Sequence, residues 1–290
     1  MKIALSGYRG LVGSALEIKL LEDHHEVVRL SRGDLYNHQI NGLSSALSGC
    51  DAVIHLAGAP VLQRWTRKNR KVILESRAVT TRNLVRAVAG LPVALRPGVF
   101  ISASAIGIYQ SGVTHTEKSE DFADHFAAEV SRAWEAASVP LPPGMRRVVF
   151  RISLVLDRNS RLIRMLRIPF LMGAGGPVGK GSQPFPFIHL DDLTNAMLWA
   201  LKENDVQGIY NLAAPEQVTQ KQFSQQLGSV LHRPAAIPVP EFFLRMVFGQ
   251  AALLVTESPV VIPERVVEEG FVFRYPTLRS ALEEIVQVKG

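Results

Sequence analysis

The stretch KIALSGYRGLVGSALEIKLL, residues 2–21, passes from a short apolar run through three glycines into a helical pattern. Ile3 and Leu5 alternate with their neighbours as a strand would, and Leu11, Val12, Ala15, Leu16, Leu20 and Leu21 recur at helical spacing. Strand, glycine turn and helix in that order build a mononucleotide-binding turn. Gly7 lets the chain turn sharply, Gly10 lets the backbone approach a pyrophosphate, and Gly13 lets the helix lie close to the strand with its N-terminus facing the phosphate charge. Gly7, Gly10, Leu11, Val12 and Gly13 are therefore assigned to a dinucleotide. The spacing G-x-x-G-x-x-G departs from the G-x-G-x-x-G fingerprint, so the assignment rests on its place directly after a strand. A plain tight strand-to-helix turn is the alternative.

Residues 25–31 (HEVVRLS) read as a second strand, and its end meets the adenosine ribose in a dinucleotide fold. Ser31 and Arg32 stand there, a hydroxyl and a guanidinium that suit a 2′-phosphate and so NADP(H). Asp34, just beyond, is the alternative partner for a free ribose hydroxyl. Residues 51–58 (DAVIHLAG) form a third strand, apolar enough for burial on both faces. It ends in Leu56, Ala57 and Gly58, small enough at the last two to leave room for a ligand beyond the strand. A long basic amphipathic helix follows from Arg67 to Ala89, most of its charge a solvated face. Strands over 98–108 and 147–156 bracket another helix, and this alternation predicts an α/β fold with a doubly wound parallel sheet, the Rossmann architecture.

Past Asp157 the pattern changes to a glycine- and proline-rich loop, GAGGPVGKGSQPFPF (173–187), whose length marks a functional surface. Residues 188–203 read as a short strand leading into a helix, with Asp191 or Asp192 as its N-cap. We assign 1–159 to an NADP-binding domain to which 186–212 returns. Residues 160–185 and 213–290 form a smaller, mostly helical domain on the substrate side.

The 290 residues carry 47% apolar and 20% charged side chains, enough for a sizeable core and no signal of disorder. The net charge of +6 is scattered, with few aromatics, and fits an anionic small ligand better than specific nucleic-acid binding. Cys50 is the sole cysteine, which excludes an internal disulfide and a cysteine-based zinc cluster and fits a reducing compartment. No stretch reaches the roughly 18 apolar residues of a membrane span and no leader pattern opens the chain. A cytoplasmic protein with a small-molecule substrate and no membrane partner is expected. No His, Asp and Glu spacing reads as a metal site, and the G-x-S-x-G elbow of a serine hydrolase is missing.

Taken together, GYRGLVG, LSR, DAVIHLAGAPVLQRWT, ESRAVTTRNLV, ISASAIGIY, AWEAA, GAGGPVGKGSQPFPFIHLDDL and the tail from Val247 to Ile285 resemble the extended short-chain dehydrogenase/reductase superfamily. Within it the chain is most similar to the family described as NADP-dependent nucleotide-sugar epimerases, which carries a C-terminal domain of unassigned function. The resemblance covers nearly the whole chain. It implies an NADP-type cofactor at Gly7, Gly10 and Gly13, with the 2′-phosphate at Ser31 and Arg32. Cofactor contacts are implied at Leu56, Ala57, Arg77 and Leu154. Arg9 stands where the family more often has a small residue, and either adds a phosphate contact or crowds the pyrophosphate.

Superfamily enzymes usually employ a tyrosine acid/base with a lysine four residues later. None of Tyr8, Tyr36, Tyr109, Tyr210 and Tyr275 is followed by such a lysine. The helix expected to carry the pair holds Phe126, Ala127, Val130 and Ser131 instead. The remaining catalytic candidates are Ser104, the nearer match to the superfamily's substrate-binding hydroxyl, then Ser102, and Tyr109, which suits a substrate wall better than an acid. Both serines read equally well as small residues satisfying backbone groups. Glu117 and His189 are further titratable candidates, His189 more in keeping with a structural role. Lys180 and Gln183 on the glycine-rich loop are the expected substrate contacts. The function expected is hydride transfer on a sugar-nucleotide-like or other small carbonyl or carbinol substrate. The alternative is a non-catalytic NADP(H)-binding scaffold.

Overall fold

The computed structural model describes residues 1–36 and 40–287. Residues 288–290, at the end of the segment assigned to the substrate side, and 37–39 lie outside the described residues. Six parallel strands form the main sheet: β1 (Lys2–Ser6), β2 (Glu26–Leu30), β3 (Ala52–His55), β4 (Val99–Ala105), β6 (Arg146–Ile152) and β9 (Gly208–Leu212). Their order is β2-β1-β3-β4-β6-β9, so the chain switches direction across the sheet between β1 and β3. Open α/β sheets bind their ligands at such a switch point, beyond the carboxyl ends of the strands. Short β5 (Thr114–His115) pairs with β10 (Val260–Val261), and β7 (Leu154–Leu156) pairs with β8 (Phe187–His189). The first pair ties the last part of the chain to the loop after β4, and the second joins the segment after β6 to the one before the Leu190–Lys202 helix.

The strands are apolar in succession because both faces are covered. Ile3, Leu5, Ile54, Ile101 and Phe150 pack on one face with Leu16, Leu20 and Met197. The intervening Ala4, Val53 and Phe100 pack on the other with Leu84 and Val88 of the Arg67–Ala89 helix. That helix is capped by Thr66, whose side chain accepts from the Asn69 amide, and it turns Arg67, Lys68, Lys71, Arg82 and Arg86 to solvent. A separate core of Phe170, Phe185, Phe187, Phe223, Leu278 and Leu282 holds the C-terminal helices together.

The N-cap expectation at 188–203 is corrected. The helix spans Leu190–Lys202, and His189 caps it, its Nδ1 accepting from the Asp191 amide at 3.2 Å. The two aspartates are engaged elsewhere: Asp191 pairs with Lys19 and Arg274, and Asp192 accepts from the amides of Arg274 and Tyr275. They tie the C-terminal segment to the first helix, a task that a sequence pattern four residues wide cannot reveal.

The β1 and β3 ends approach so closely that only glycine fits. Gly7 has φ +75°, and a Cβ there would lie 2.7 Å from the Leu56 carbonyl carbon. A Cβ on Gly13 would lie 2.2 Å from the Gly7 oxygen. Beneath this contact runs a buried polar chain. The Ser6 hydroxyl accepts from the amides of Leu56 and Ala57 at 3.2 and 3.3 Å, so its own proton goes to His55 Nδ1 at 2.6 Å. His55 Nε2–H then faces Thr80 Oγ1 at 3.3 Å, which donates to the Ser76 carbonyl at 2.8 Å. Burial drives His55 down to about 3, with Arg77 adding to the effect, so the imidazole is neutral.

Two measurements check these packing claims. Gly7→Ala is expected to lower stability by about 2–5 kcal/mol, from left-handed strain plus overlap with Leu56. Gly42→Ala, with nothing within 4 Å of its new methyl, is expected to leave the melting temperature unchanged or slightly raised. His55 binds a proton in the unfolded chain at about 6.5 but in the folded one only near 3, so stability falls as pH drops through that window. The loss reaches up to about 1.4 kcal/mol per pH unit. His55→Gln is expected to flatten the melting temperature between pH 6.5 and about pH 4.5; equal slopes in both proteins would reject the neutral-imidazole assignment.

Candidate functional site

Two clefts lie on either side of the Leu56–Ala57 turn. The first, about 290 Å³, is lined by Gly7, Arg9, Gly10, Ser31, Arg32 and Gly58, with Ala57 at its edge. The helix Leu11–Glu22 opens onto this side with Gly10 as its N-cap. No side chain caps its first amides and no acid lies in its first turn. Asp34 turns away into its own helix: its carboxylate accepts from the Ser31 amide at 2.7 Å, and the Ser31 hydroxyl accepts from the Asp34 amide at 3.3 Å. Arg32 lies over the Tyr36 ring at 5.4 Å and Arg9 over Tyr8 at 5.4 Å. Neither has a salt-bridge partner among the described residues.

The second cleft, about 370 Å³, is mostly apolar and is lined by Val12, Leu56, Ser104, Trp134, Ser153 and Leu154 among others. Half-buried Arg77 lines it too. Its Nη1 donates to the Ala59 and Ile73 carbonyls at 2.9 and 3.2 Å, and its guanidinium stacks on Trp134 at 5.0 Å. Burial lowers this cation to about 10, and no carboxylate among the described residues pairs with it. Trp134 Nε1 and Ser153 Oγ are both buried in this lining without a hydrogen-bond partner. Buried donors are rarely left so, and both belong to residues that line this one cleft, just behind its surface.

Ser104 differs. Its hydroxyl donates to Glu135 Oε1 at 2.7 Å, and Glu135 is held by both arms of Arg151, Nε to Oε1 at 2.9 Å and Nη2 to Oε2 at 2.8 Å. Arg151 Nη1 donates to the Tyr109 hydroxyl at 2.7 Å, and that hydroxyl lies 2.8 Å from Asn211 Oδ1 and 3.1 Å from the Thr116 carbonyl. Sheet register assembles this network: Ser104, Arg151 and Asn211 are direct neighbours across β4, β6 and β9. Burial pushes the Tyr109 phenol above its ordinary value against the pull of Arg151.

The sequence-stated candidates therefore separate. Ser104 lines the second cleft with its proton committed to Glu135. Tyr109 lines it by its ring, while its buried hydroxyl faces the network. Ser102 is 1% exposed, donates to the Ala103 carbonyl at 3.1 Å, and is absent from the cleft walls. Glu117 accepts from the amides of Asn211 and Arg265, with burial pushing its carboxyl up, and His189 bonds Glu284 at 2.9 Å. Lys180 and Gln183 do not reach either lining: Lys180 is exposed, and Gln183 bonds the carbonyls of Val178 and Val255. The helical segment Leu253–Thr256 and the loop 257–259 close that side instead. Glu135, Arg151, Trp134 and Ser153 were not singled out from the sequence. The only signal was AWEAA within the helix that lacks the usual pair.

The comparisons with known proteins come to the same fold from a different direction. The chain is 36% identical over 296 residues to the mouse epimerase family protein SDR39U1, spanning 99% of this chain and all of that one. It is 34% identical to the chloroplastic homologue from Arabidopsis thaliana, over 99% of this chain and 87% of the other. The crystal structure of the human epimerase family protein SDR39U1 with NADPH superposes over 100% of both chains, with TM-score 0.92 and 33% identity. A domain of unknown function, DUF1731, matches residues 239–285, and the NAD dependent epimerase/dehydratase family model matches residues 3–213. A match that starts inside β1 and runs through the end of β9 places this chain in the NAD-dependent epimerase/dehydratase family.

Proposed function

We infer that this protein is an NADP(H)-dependent oxidoreductase of the epimerase or reductase type, moving a hydride to or from a carbonyl or carbinol carbon of a small substrate. The observation that carries the reading is the first cleft. Open helix amides face it at Gly10, and the strand end beside it offers Ser31 and Arg32 while Asp34 is spent on its own helix. A carboxylate aimed there would repel a 2′-phosphate; a guanidinium attracts it. The NADPH named with the human relative's structure supports the same choice. Buried Cys50 fits a reducing compartment such as the cytoplasm.

NADP(H), when bound, supplies or accepts the hydride. Arg77, unpaired at the wall between the two clefts, is suited to the pyrophosphate side. The orphaned Trp134 N–H and Ser153 hydroxyl are suited to hold carbonyl or amide oxygens in the second cleft. Because Ser104 gives its proton to Glu135, it offers the cleft only lone pairs, and so accepts from a substrate hydroxyl. A proton leaving that hydroxyl has a path through Ser104 to Glu135, a carboxylate held in place by both arms of Arg151. The same observation favours a second reading, a non-catalytic NADP(H)-binding scaffold, since Ser104 and Tyr109 both have their hydroxyls engaged within the protein.

Titrating the protein with NADPH, NADH and NADP+ tests the cofactor half. Wild type is expected to prefer NADPH over NADH, and Arg32→Ala to lose roughly ten- to a hundredfold in NADPH affinity, the worth of one charged hydrogen bond. Equal binding of NADPH and NADH by wild type would reject the Arg32 assignment. Stereospecifically deuterated NADPH incubated with a metabolite extract tests the chemistry. Deuterium in a metabolite, reduced roughly a hundredfold by Ser104→Ala with NADPH affinity unchanged, is the outcome expected of the enzyme. Stoichiometric NADPH binding with no transfer would turn the choice to the scaffold.

A further inference from the structure

Two short helices, Arg161–Leu171 and Glu241–Phe248, run in opposite directions between shared points of attachment. The helix Arg161–Leu171 begins where Arg161 Nη1 donates to the Leu62 carbonyl at 3.1 Å, and ends where Arg233 Nε donates to the Leu171 carbonyl at 2.9 Å. The chain after it is joined to 237–239 by backbone bonds from Ile237 to Gly175 (3.1 Å), Val239 to Pro177 (2.7 Å) and Gly179 to Val239 (2.9 Å). These deliver the chain to the second helix, Glu241–Phe248, whose Met246 and Val247 carbonyls accept from Arg64. The loop around 62–64 thus grips the start of one helix and the end of the other, and the backbone zipper joins their opposite ends.

Both helices turn large apolar side chains outward. Met165, Ile168 and Met172 are 47%, 66% and 78% exposed, and Phe242, Phe243 and Met246 are 66%, 51% and 57% exposed. None of the six lines a cleft described above. Six large apolar side chains left in water on two linked helices call for a cover. The charge around them is one-sided. Between Asp157 and Asp191 the sequence has no acidic residue, and the Arg161–Leu171 helix exposes Arg161, Arg164 and Arg167 beside its apolar side chains. The second helix adds exposed Arg245 against Glu241. None of these arginines has a carboxylate partner among the described residues.

We propose that this two-helix face docks on an anionic lipid bilayer, lying in its interface. Charge decides against a second copy of the chain: a two-fold contact sets the patch against itself and brings the same arginines together. Shape decides against an acidic peptide, which needs a groove, whereas these side chains stand out on helix surfaces. Phenylalanine and methionine beside arginine are the composition of an interfacial helix, attracted by the negative leaflet and held by shallow apolar burial. No membrane span is needed, and no helix among the described residues is long and apolar enough to provide one. The proposal departs from the expectation of no membrane partner, which rested on the missing span and not on surface docking. Val61, next to the loop that both helices grip, lines the second cleft, so docking brings that cleft toward the lipid surface.

Flotation of the full-length protein with vesicles of phosphatidylcholine alone, or of phosphatidylcholine mixed with phosphatidylglycerol, tests the proposal. The protein is expected to float with the anionic vesicles only, and less as salt is raised. The double variants Phe242→Ser/Phe243→Ser and Arg164→Glu/Arg167→Glu are each expected to weaken vesicle binding at least roughly tenfold with unchanged melting temperature. Failure to float with anionic vesicles at low salt would overturn the proposal, as would flotation that neither double variant weakens. A wild-type dimer that Phe242→Ser/Phe243→Ser dissociates would assign the face to a second copy. Saturable binding of polyglutamate together with no flotation on anionic vesicles would assign it to an acidic segment.

Discussion

The contact on which the rest of the structure depends is backbone against backbone, where Gly7 meets the turn at Leu56 and Gly13 meets Gly7. Two strand ends and a helix start share a volume that excludes a single methyl group. Such closeness strands polar groups, and Ser6, His55 and Thr80 satisfy them in one chain of hydrogen bonds that ends on the Arg67–Ala89 helix. The imidazole works here as a neutral bridge. A charged one would have no counterion among the described residues in this buried place, and burial has already moved its titration far below neutrality. The turn between the two clefts is therefore fixed from below before any ligand arrives.

A second constraint operates at the other end of the sheet. Glu135 and Arg151 are almost fully removed from water, a costly arrangement unless every donor and acceptor is matched. They are matched, by Ser104, Tyr109 and each other, and Asn211 completes the set. Removing one partner of such a pair typically costs about 3–5 kcal/mol, so the network holds β4, β6 and the Phe126–Ala137 helix in one arrangement. Its consequence for chemistry is a polarity. Ser104 lines the cleft with its proton spent on Glu135, while the donors of Trp134 and Ser153, in the same lining, are buried without a partner. The lining holds an acceptor at one place and donors at another, without the tyrosine and lysine that the superfamily usually places there.

The C-terminal part is held to the sheet by polar stitching as well as by apolar packing, with Val266 and Phe271 in the main core and Phe248 and Ala251 against Trp65 and Phe126. Asp191 and Asp192 capture Lys19, Arg274 and Tyr275, β10 adds to β5, and the helices pack around Phe187, Phe223 and Leu282. Of the helices at its outer edge, Arg161–Leu171 buries one face in that core and Glu241–Phe248 buries Leu244 and Phe248 against Trp65 and Phe126, each leaving its other face in water. Their exposed phenylalanines and methionines are not needed for the fold, which is why they bear on partners rather than on stability.

By itself the sequence determined what is local. The three glycines after an apolar run, the small residues after β3, and Ser31 with Arg32 at the end of β2 all belong to a nucleotide fold whose geometry repeats from protein to protein, and the residues stand together in the folded clefts. The missing tyrosine and lysine were equally plain. What the tertiary structure alone decided depends on register and packing between distant segments. Ser104, Glu135, Arg151 and Asn211 meet because three parallel strands align them and a helix lies above. Asp34, legible as a ribose ligand, is drawn into its own helix cap; Gln183 bonds back to 178 and to 255, in the segment that closes the cleft in place of Lys180 and Gln183 themselves. Hydrogen-bond partners across the sheet leave no periodicity in the chain, and so only the folded molecule shows which polar side chains are spent and which remain to meet a ligand.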